Sequence, residues 1–396
     1  MTALRMTHFT ATSCLGRGLK MTLAALEAAR SGLTPCDFET VALDTQIGQV
    51  SGLEAVRLPA QLRAYDCRNN RLAELGLEQD GFCEAVHASA ARWGRQRLGV
   101  FLGTSTSGIL ETEIAYRARD RLSGLLPVGF DYEHRHNSFS VSDYVRRALK
   151  LEGPVASLCT ACSSSAKVFA AAQRMIDAGM IDAAVVGGVD SLCLTTLYGF
   201  HSLQLMARTA CRPFDLRRDG LSIGEAAAFV LLERACGAND HAVLLLGAGE
   251  SSDAHHMSSP HPDGAGARSA MRRALDAAGL QTRDVDYINL HGTGTPSNDS
   301  AESLAVSALF GTETPCSSTK AATGHTLGAA GALEAVICAL ALNNGLLPGG
   351  LNLSERDPQL TLNYLTHNRR APLKTVLSNS FGFGGVNCAL LFGRAS

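Results

Sequence analysis

Short Val/Leu/Gly runs alternate with Ala-rich amphipathic stretches along this chain, first over residues 97–233 and again over residues 241–344. That alternation is the mark of strands and helices stacked in a layered α/β fold. Its recurrence predicts two α/β halves of unequal length, residues 1–240 and 241–396, without a letter-by-letter repeat between them. The boundary falls on the polar, Gly-containing break Cys236–His241, since no Pro-rich or Gly/Ser-rich linker separates the halves. In the first half the buried-strand candidates are Arg97–Gly103, Val155–Leu158, Ala183–Val189 and Glu225–Glu233. Apolar residues at helical spacing, Val168, Phe169, Ala172, Met175 and Ile176, predict a helix from Cys162 to Ala178 that stops at Gly179. In the second half the pattern predicts strands at His241–Gly247 and Asp286–Leu290, with helices at Gly266–Ala278, Ser300–Leu309 and Gly328–Asn344.

A chain of 396 residues with 46% hydrophobic and 18% charged side chains can bury a large core, which excludes disorder over most of its length. The 35 basic and 37 acidic residues leave a net charge of −2, so neither a polybasic nucleic-acid binder nor an acidic tail is expected. Met1–Lys20 is interrupted by Arg5, His8, Thr10, Thr12, Ser13 and Arg17, which breaks any apolar leader; the expectation is a cytoplasmic protein. The apolar stretch Gly331–Leu347 carries Glu334 and two Asn and reads as a buried helix, so no membrane insertion is expected. Twelve Cys scattered from Cys14 to Cys388 suit reduced core thiols rather than a disulfide scaffold.

The chemistry concentrates in a few Gly/Thr/Ser-rich turns. Thr160-Ala-Cys-Ser-Ser-Ser165 places Cys162 where a strand becomes a helix, and backbone N–H groups with the helix dipole there favour thiolate over thiol. An isolated Cys is more often an inert packing residue. The spacing Cys159-x-x-Cys162 also matches a redox pair or half of a zinc site, but no second pair completes a metal site. His291 and His325 each sit in a Gly/Thr-rich segment beside a strand or helix. Either one by itself reads as a structural imidazole. Together with a helix-start Cys they supply a nucleophile and two imidazoles, the minimum set for acyl-thioester chemistry that passes through a carbanion. His255, His256 and His261 lie in the Ser/Pro/Gly/His loop 251–266, which reads as a mobile cover rather than a metal tract, and no metal ligand is assigned. Gly382-Phe-Gly-Gly385 lacks the strand and helix of a dinucleotide fingerprint and reads as a tight turn near the site.

The motifs, in order, are Ala29-Arg-Ser-Gly-Leu33, Gly103-Thr-Ser-Thr-Ser-Gly108, Thr160-Ala-Cys-Ser-Ser164, Gly187-Gly-Val-Asp190, Arg212-Pro-Phe-Asp215 with Arg218-Asp-Gly220, His261-Pro-Asp-Gly264, His291-Gly-Thr-Gly-Thr-Pro296, Lys320 to His325, and Asn379 to Asn387. With them the chain resembles the β-ketoacyl-acyl-carrier-protein synthases, the condensing enzymes of the thiolase fold, over nearly its whole length. The resemblance implies a five-layered α-β-α-β-α architecture of two pseudo-duplicated halves and a dimeric working unit. It implies that Cys162 carries an acyl chain as a thioester while a malonyl carrier loses carbon dioxide and attacks it. In that mechanism His291 and His325 hydrogen-bond the enolate oxygen, and the N–H groups of Cys162 and Phe383 form the oxyanion hole. Phe383 also gates the acyl pocket. Lys320 orients and balances the site against Glu334, Thr293 and Thr295 hold the phosphopantetheine arm beside Gly382 and Gly384, and Asp299 and Glu302 are structural carboxylates. No resident cofactor is implied, because the substrates arrive on the phosphopantetheine arm of acyl carrier protein.

Two His, rather than one His and one Asn, imply the elongating class and not the coenzyme A-primed starter class. A thiolase needs a second catalytic Cys, whereas Cys388 lies in the apolar run Val386–Phe392 and reads as a strand residue. The alternative is a catalytically silent or partner-dependent chain-length subunit of a heterodimeric ketosynthase, against which the presence of Cys162 argues. Gly294, Ser297–Glu302 and Gly224-Glu-Ala-Ala-Ala228 depart from the housekeeping pattern. With Arg68-Asn-Asn70 they resemble synthases of dedicated clusters, such as those making aryl polyene pigments, and the expected partner is either a second copy, giving a homodimer, or a homologous chain-length subunit, giving a heterodimer. Carrier proteins are acidic, and Arg63, Arg68, Arg117, Arg119 and Arg121 are the candidate docking residues.

Overall fold

The structure, a computed structural model, describes residues 2–234 and 242–394, so the expected boundary at Cys236–His241 lies outside the described residues. Five strands of the first half are β1 (Leu4–Ser13), β2 (Leu98–Gly103), β3 (Val155–Leu158), β4 (Ala183–Asp190) and β5 (Ala226–Arg234). They lie in the order β1-β5-β4-β2-β3, antiparallel from β1 to β4 and parallel from β4 to β3. In the second half, β6 (Val243–Ser252), β7 (Tyr287–Asn289), β8 (Pro315–Ser317), β9 (Thr375–Gly382) and β10 (Val386–Arg394) lie in the order β6-β10-β9-β7-β8 with the same directions. Each strand of one half thus has its counterpart in the other, and the duplication that is invisible letter by letter is explicit in the topology. The sheets meet edge to edge where Leu4–Met6 of β1 pairs with Val243–Leu245 of β6.

Seven helices build the layers: α1 (Arg68–Leu77), α2 (Phe82–Trp93), α3 (Ser140–Ala148), α4 (Ser164–Asp177), α5 (Ala265–Ala278), α6 (Pro296–Phe310) and α7 (Ala330–Asn344). Leu72, Phe82, Val86, Val141 and Tyr144 pack α1–α3 on the outer face of the first sheet against Val100, Val185 and Phe229. Ala270, Met271, Leu275 and Val306 pack α5 and α6 on the outer face of the second sheet against Ile288, Leu377 and Leu391. Between the sheets lie α4 and α7, whose Phe169, Leu333, Val336 and Ile337 meet Val186 and Val230 on one side and Val376, Leu390 and Phe392 on the other. This is the five-layered α-β-α-β-α stack. Every residue of α7 from Ala330 to Leu342 is buried, so the helix is apolar all round because it touches both sheets. The stretch Leu327–Asn344 is long and apolar enough to cross a membrane, but 89% of it is buried inside the protein as this central helix.

The element boundaries differ from expectation where side chains override pattern. Strand β1 has few aliphatics, yet its Thr10, Thr12 and Ser13 are buried. Helix α6 starts at Pro296, four residues before Ser300, because the Thr295 side chain accepts from the Asn298 N–H and Pro296 occupies a first-turn position that needs no donor. Strand β6 runs on to Ser252, where it pairs with β10. Helix α4 begins at Ser164, so Cys162 stands ahead of the first helical turn rather than opening it.

Candidate active site

Cys162 sits on the turn between β3 and α4. Ala161 adopts φ +50°, a left-handed conformation uncommon for a residue with a side chain, which marks a strained turn before the thiol. The serines that follow lock it: Ser163 Oγ donates to Thr160 O at 2.9 Å, Ser164 Oγ donates to Ala161 O at 2.6 Å, and Thr160 N donates to Ser164 Oγ at 2.9 Å. The thiol is 5% exposed, and burial pushes it up to about 11 although Lys320 and the N–H groups of Phe383 and Cys162 pull it down. The helix-start argument that favours a resting thiolate is therefore outweighed by desolvation, and the resting form is the thiol. Cys159 is exposed and Cys162 buried, and both are free thiols.

The two imidazoles come from the second half. His291 follows β7 and His325 follows the short helix Lys320–Thr323; both are buried, with ring centroids 5.2 Å apart and planes at 85°. Each Nδ1 has a donor beside it. The Leu327 N–H donates to His325 Nδ1 at 3.2 Å, and the Lys320 ammonium lies 3.4 Å from His291 Nδ1. An imidazole that accepts at Nδ1 carries its proton on Nε2, so both rings are set as neutral Nε2–H donors. Burial and the Lys320 charge hold both well below the usual imidazole value. Lys320 in turn donates to Glu334, a buried pair between the loop and α7. The donor atoms of Cys162, His291 and His325 lie within 4.8 Å of one another, close enough to suggest a metal set. With protons on both Nε2 atoms the two rings are arranged for hydrogen-bond donation rather than for ligation.

Carboxylates shape the loops behind these groups. Glu302 of α6 accepts the N–H groups of His291 (2.8 Å) and Gly292 (2.7 Å) and the Asn379 amide (3.1 Å). Asp299 accepts from Phe214 N (2.9 Å) and Gly294 N (3.2 Å), which places it under the Thr293–Thr295 turn rather than behind His291. Asp190, the last residue of the Gly-Gly-Val-Asp motif, is a hub that sequence reasoning missed. It accepts Thr104 Oγ1 (2.7 Å), Ser105 N (2.8 Å), Thr106 N (3.0 Å) and Gly328 N (2.5 Å), joining the loop after β2 to the turn after His325. Burial raises the Glu302 carboxyl from 4.5 to about 7 against the pull of its three donors. A carboxyl raised on folding contributes stability that is complete below its unfolded value and is lost as pH rises through its folded value. The thermal midpoint is therefore expected to fall as pH rises from 5 to 8, on the order of a few degrees, and Glu302→Gln is expected to flatten that slope. Scanning calorimetry across this range checks it, and equal slopes in both proteins refute the assignment.

A pocket borders the thiol, lined by Cys162 with Phe200, Phe381 and Phe383 and by Thr293, Thr295, Ser297 and Asn298. Phe383 packs against Phe200 with ring centroids 5.5 Å apart and planes tilted at 39°, and Thr293 and Thr295 share a hydrogen bond of 2.9 Å. Gly382 also lines the cavity. Gly384 instead ties the turn to the loop 253–261, donating its N–H to Met257 O at 2.8 Å. Asp253 fastens the same loop, accepting the Asn387 amide at 2.8 Å and His261 N at 3.0 Å. Ser258, Ser259 and Pro260 of the His-rich loop also line the pocket, and the His255 and His261 rings lie 5.0 Å apart within that loop. Cys388 is fully buried in β10. Arg68 is also buried, 6% exposed and bonded to Glu225, which removes it from the docking face; Arg63, Arg117, Arg119 and Arg121 remain exposed.

Two family models match the chain: "Beta-ketoacyl synthase, N-terminal domain" over residues 39–238 and "Beta-ketoacyl synthase, C-terminal domain" over residues 241–354. A 3-oxoacyl-[acyl-carrier-protein] synthase 2 of Rhizobium meliloti (strain 1021) is 41% identical over 262 residues, 62% of this chain and 62% of the relative. A mitochondrial 3-oxoacyl-[acyl-carrier-protein] synthase of Arabidopsis thaliana is 39% identical over 271 residues, 63% of this chain and 59% of the relative. The chain thus spans about three fifths of the length of these curated relatives. Among solved structures, one chain of the complex of a ketosynthase (ApeO) with its chain length factor (ApeC) from Xenorhabdus doucetiae is 37% identical with a TM-score of 0.90, the match covering 100% of this chain and 98% of that one.

Proposed function

Since the chain belongs to the beta-ketoacyl synthase family, we propose that it catalyses the decarboxylative condensation of an acyl group on Cys162 with a malonyl carrier. The observation that carries this reading is the convergence of one thiol and two Nε2–H imidazole donors in a pocket with an apolar wall. In the first half-reaction the Cys162 sulfur bonds the carrier's thioester carbon, the carrier C–S bond breaks, and the thiol proton leaves with the departing carrier thiolate. The N–H groups of Cys162 and Phe383 face the sulfur and would hold the oxyanion of the tetrahedral intermediate. In the second, the malonyl C–C bond to its carboxylate breaks and carbon dioxide leaves. The electron pair forms an enolate whose oxygen accepts from His291 and His325. The enolate carbon then bonds the thioester carbon, the Cys162 C–S bond breaks, and the thiolate takes a proton from water to restore the resting thiol. No resident cofactor is needed.

The phosphopantetheine arm would run along Thr293 and Thr295, with Gly382 and the Phe383–Gly384 turn beside it. Lys320 and Glu334 would set the His291 tautomer, and Asp299 and Glu302 would hold the loops. The proposed setting is a reducing cytoplasm, supported by eleven free cysteines among the described residues. The proposed pathway is a dedicated polyene or polyketide route rather than housekeeping fatty acid synthesis, supported by the departures at Gly294 and Ser297–Glu302.

A partner subunit is part of the reading. Strand β3 is a sheet edge of half-buried Val155-Ala-Ser-Leu158, and elsewhere in the same half Leu122 and Val128 stand fully exposed. Apolar groups and an unpaired edge of this kind call for a cover. A homologous chain-length subunit is the cover proposed, on the strength of the ketosynthase–chain length factor pair that this chain resembles. Intact-protein mass spectrometry tests the whole reading: the chain, with and without such a subunit, is mixed with acyl carriers of several lengths and an aryl starter, then with malonyl carrier. An acyl mass that appears and is discharged as a 3-oxoacyl carrier is expected. A folded, partnered chain that is never acylated sinks it.

A further inference from the structure

We infer that Arg68 and Glu225, which do not line the substrate cavity, are a buried ion pair that positions His325; the inference rests on the condensing reaction proposed above. Arg68 Nε and Nη2 meet the two carboxylate oxygens of Glu225 at 2.9 and 2.6 Å, a fork-to-fork geometry that fixes both side chains. Arg68 is 6% exposed and Glu225 fully buried, with Phe38 stacked 5.0 Å from the guanidinium. The same carboxylate accepts the N–H groups of Val50 and Leu192, each at 2.9 Å. Glu225 is therefore pinned to three separate segments: α1, the loop around Val50, and the turn after β4.

What Glu225 pins, His325 hangs on. The His325 N–H donates to Ser222 O at 2.7 Å, and the Gly224 N–H donates to His325 O at 3.0 Å. Both backbone groups of the histidine are thus held by residues 222–224, directly ahead of Glu225. On the far side the Gly48 N–H donates to Ile223 O at 2.8 Å and the Glu225 N–H donates to Gly48 O at 3.0 Å, so this segment is clamped between two neighbours. The packing leaves no slack: a Cβ at Gly224 would stand 2.3 Å from Thr323 O. A displacement of residues 222–225 therefore carries the His325 backbone, and with it the Nε2–H aimed at the enolate. Cys162 and its oxyanion donors hang on other elements, the β3–α4 turn and the turn after β9, so the two half-reactions separate. The Arg-Asn-Asn segment thus acts from the interior, through an arginine whose planar fork a surface docking role does not require.

The experiment compares wild type with Arg68→Lys and with the double variant Arg68→Met/Glu225→Gln, which leaves no lone buried charge. Cys162 acylation from an octanoyl carrier is followed by intact mass, and condensation by 3-oxodecanoyl carrier formed after addition of malonyl carrier. A shift of His325 by about 1 Å predicts a condensation kcat lower by about 100-fold in the double variant, with acylation within about 3-fold of wild type. Arg68→Lys keeps the charge but not the fork, and is expected to recover about 10-fold of that loss. Equal losses in both half-reactions, or wild-type condensation in a folded double variant, overturn the inference. Should the double variant not fold, Arg68→Lys decides alone: unchanged condensation overturns it, and a selective loss supports it. A wild-type chain that takes no acyl group fails the condensing reading itself.

Discussion

Cys162→Ala is expected to take up no acyl group from any carrier and to lower condensation by at least about 10⁴-fold, because Cys162 is the one cysteine that lines the pocket among the described residues. The chain should still fold. The change removes one sulfur from a turn whose geometry is held by Ser163, Ser164 and Thr160 rather than by the thiol. A small truncation of this kind costs about 1 kcal/mol. The malonyl half-reaction is expected to survive in part. His291 and His325 owe their tautomers to Lys320 and to the Leu327 N–H, neither of which depends on sulfur. Malonyl carrier should therefore lose carbon dioxide and leave an acetyl carrier. Intact mass reads both results in one sample, and Cys159→Ala in parallel should acylate as wild type does. An acyl mass on the Cys162→Ala chain, mapped to Cys159 or Cys388, would mean that the nucleophile is misassigned.

The parts of this site that were legible in the sequence are those whose chemistry requires an unusual local backbone. Such turns select Gly, Thr and Ser, so Thr160–Ser165, His291–Thr295 and Gly382–Gly385 announce themselves. The layered fold was legible for a related reason: β4 is buried along all eight residues and α7 on every side from Ala330 to Leu342, and such runs are apolar except at Asp190 and Glu334. Strand β1 escaped because Thr10, Thr12 and Ser13 are buried beside Leu4, Met6 and Ala11, and the Thr10 hydroxyl donates to Asp80, 70 residues further along the chain. The state of Cys162 escaped for the same kind of reason. The helix start suggests a thiolate, but desolvation depends on the packing of the second half over the first, and it leaves a thiol raised to about 11. Arg68 looked like a surface arginine by type and proved to be an interior one. Its partner stands 157 residues away, a separation that no local pattern encodes.

The histidines should fail in the opposite way from the cysteine. In His291→Ala and His325→Ala, acylation of Cys162 is expected to persist, while decarboxylation and condensation each fall by about 10² to 10³-fold, the loss typical of one preorganised donor to a developing oxyanion. That is about 3 to 4 kcal/mol of transition-state stabilisation per donor. Asn at either position keeps an N–H donor but not its reach, and should fall between Ala and wild type. The pH profile carries the sign. Burial and the Lys320 ammonium hold both imidazoles well below 6.5, so each stays neutral and the condensation rate should show no acid limb near that value. Protonating either ring requires Nδ1 to become a donor, which sets it against the Leu327 N–H or against Lys320. Lys320→Met removes one cause of the depression at each ring, leaving burial at both and the neighbouring His325 at His291, so both values rise toward 6.5. A rate that is flat in wild type should then decline as pH falls through that region. If wild type already shows an acid limb near 6.5, the rings titrate freely, and the enolate is not stabilised by two neutral donors fixed as described here.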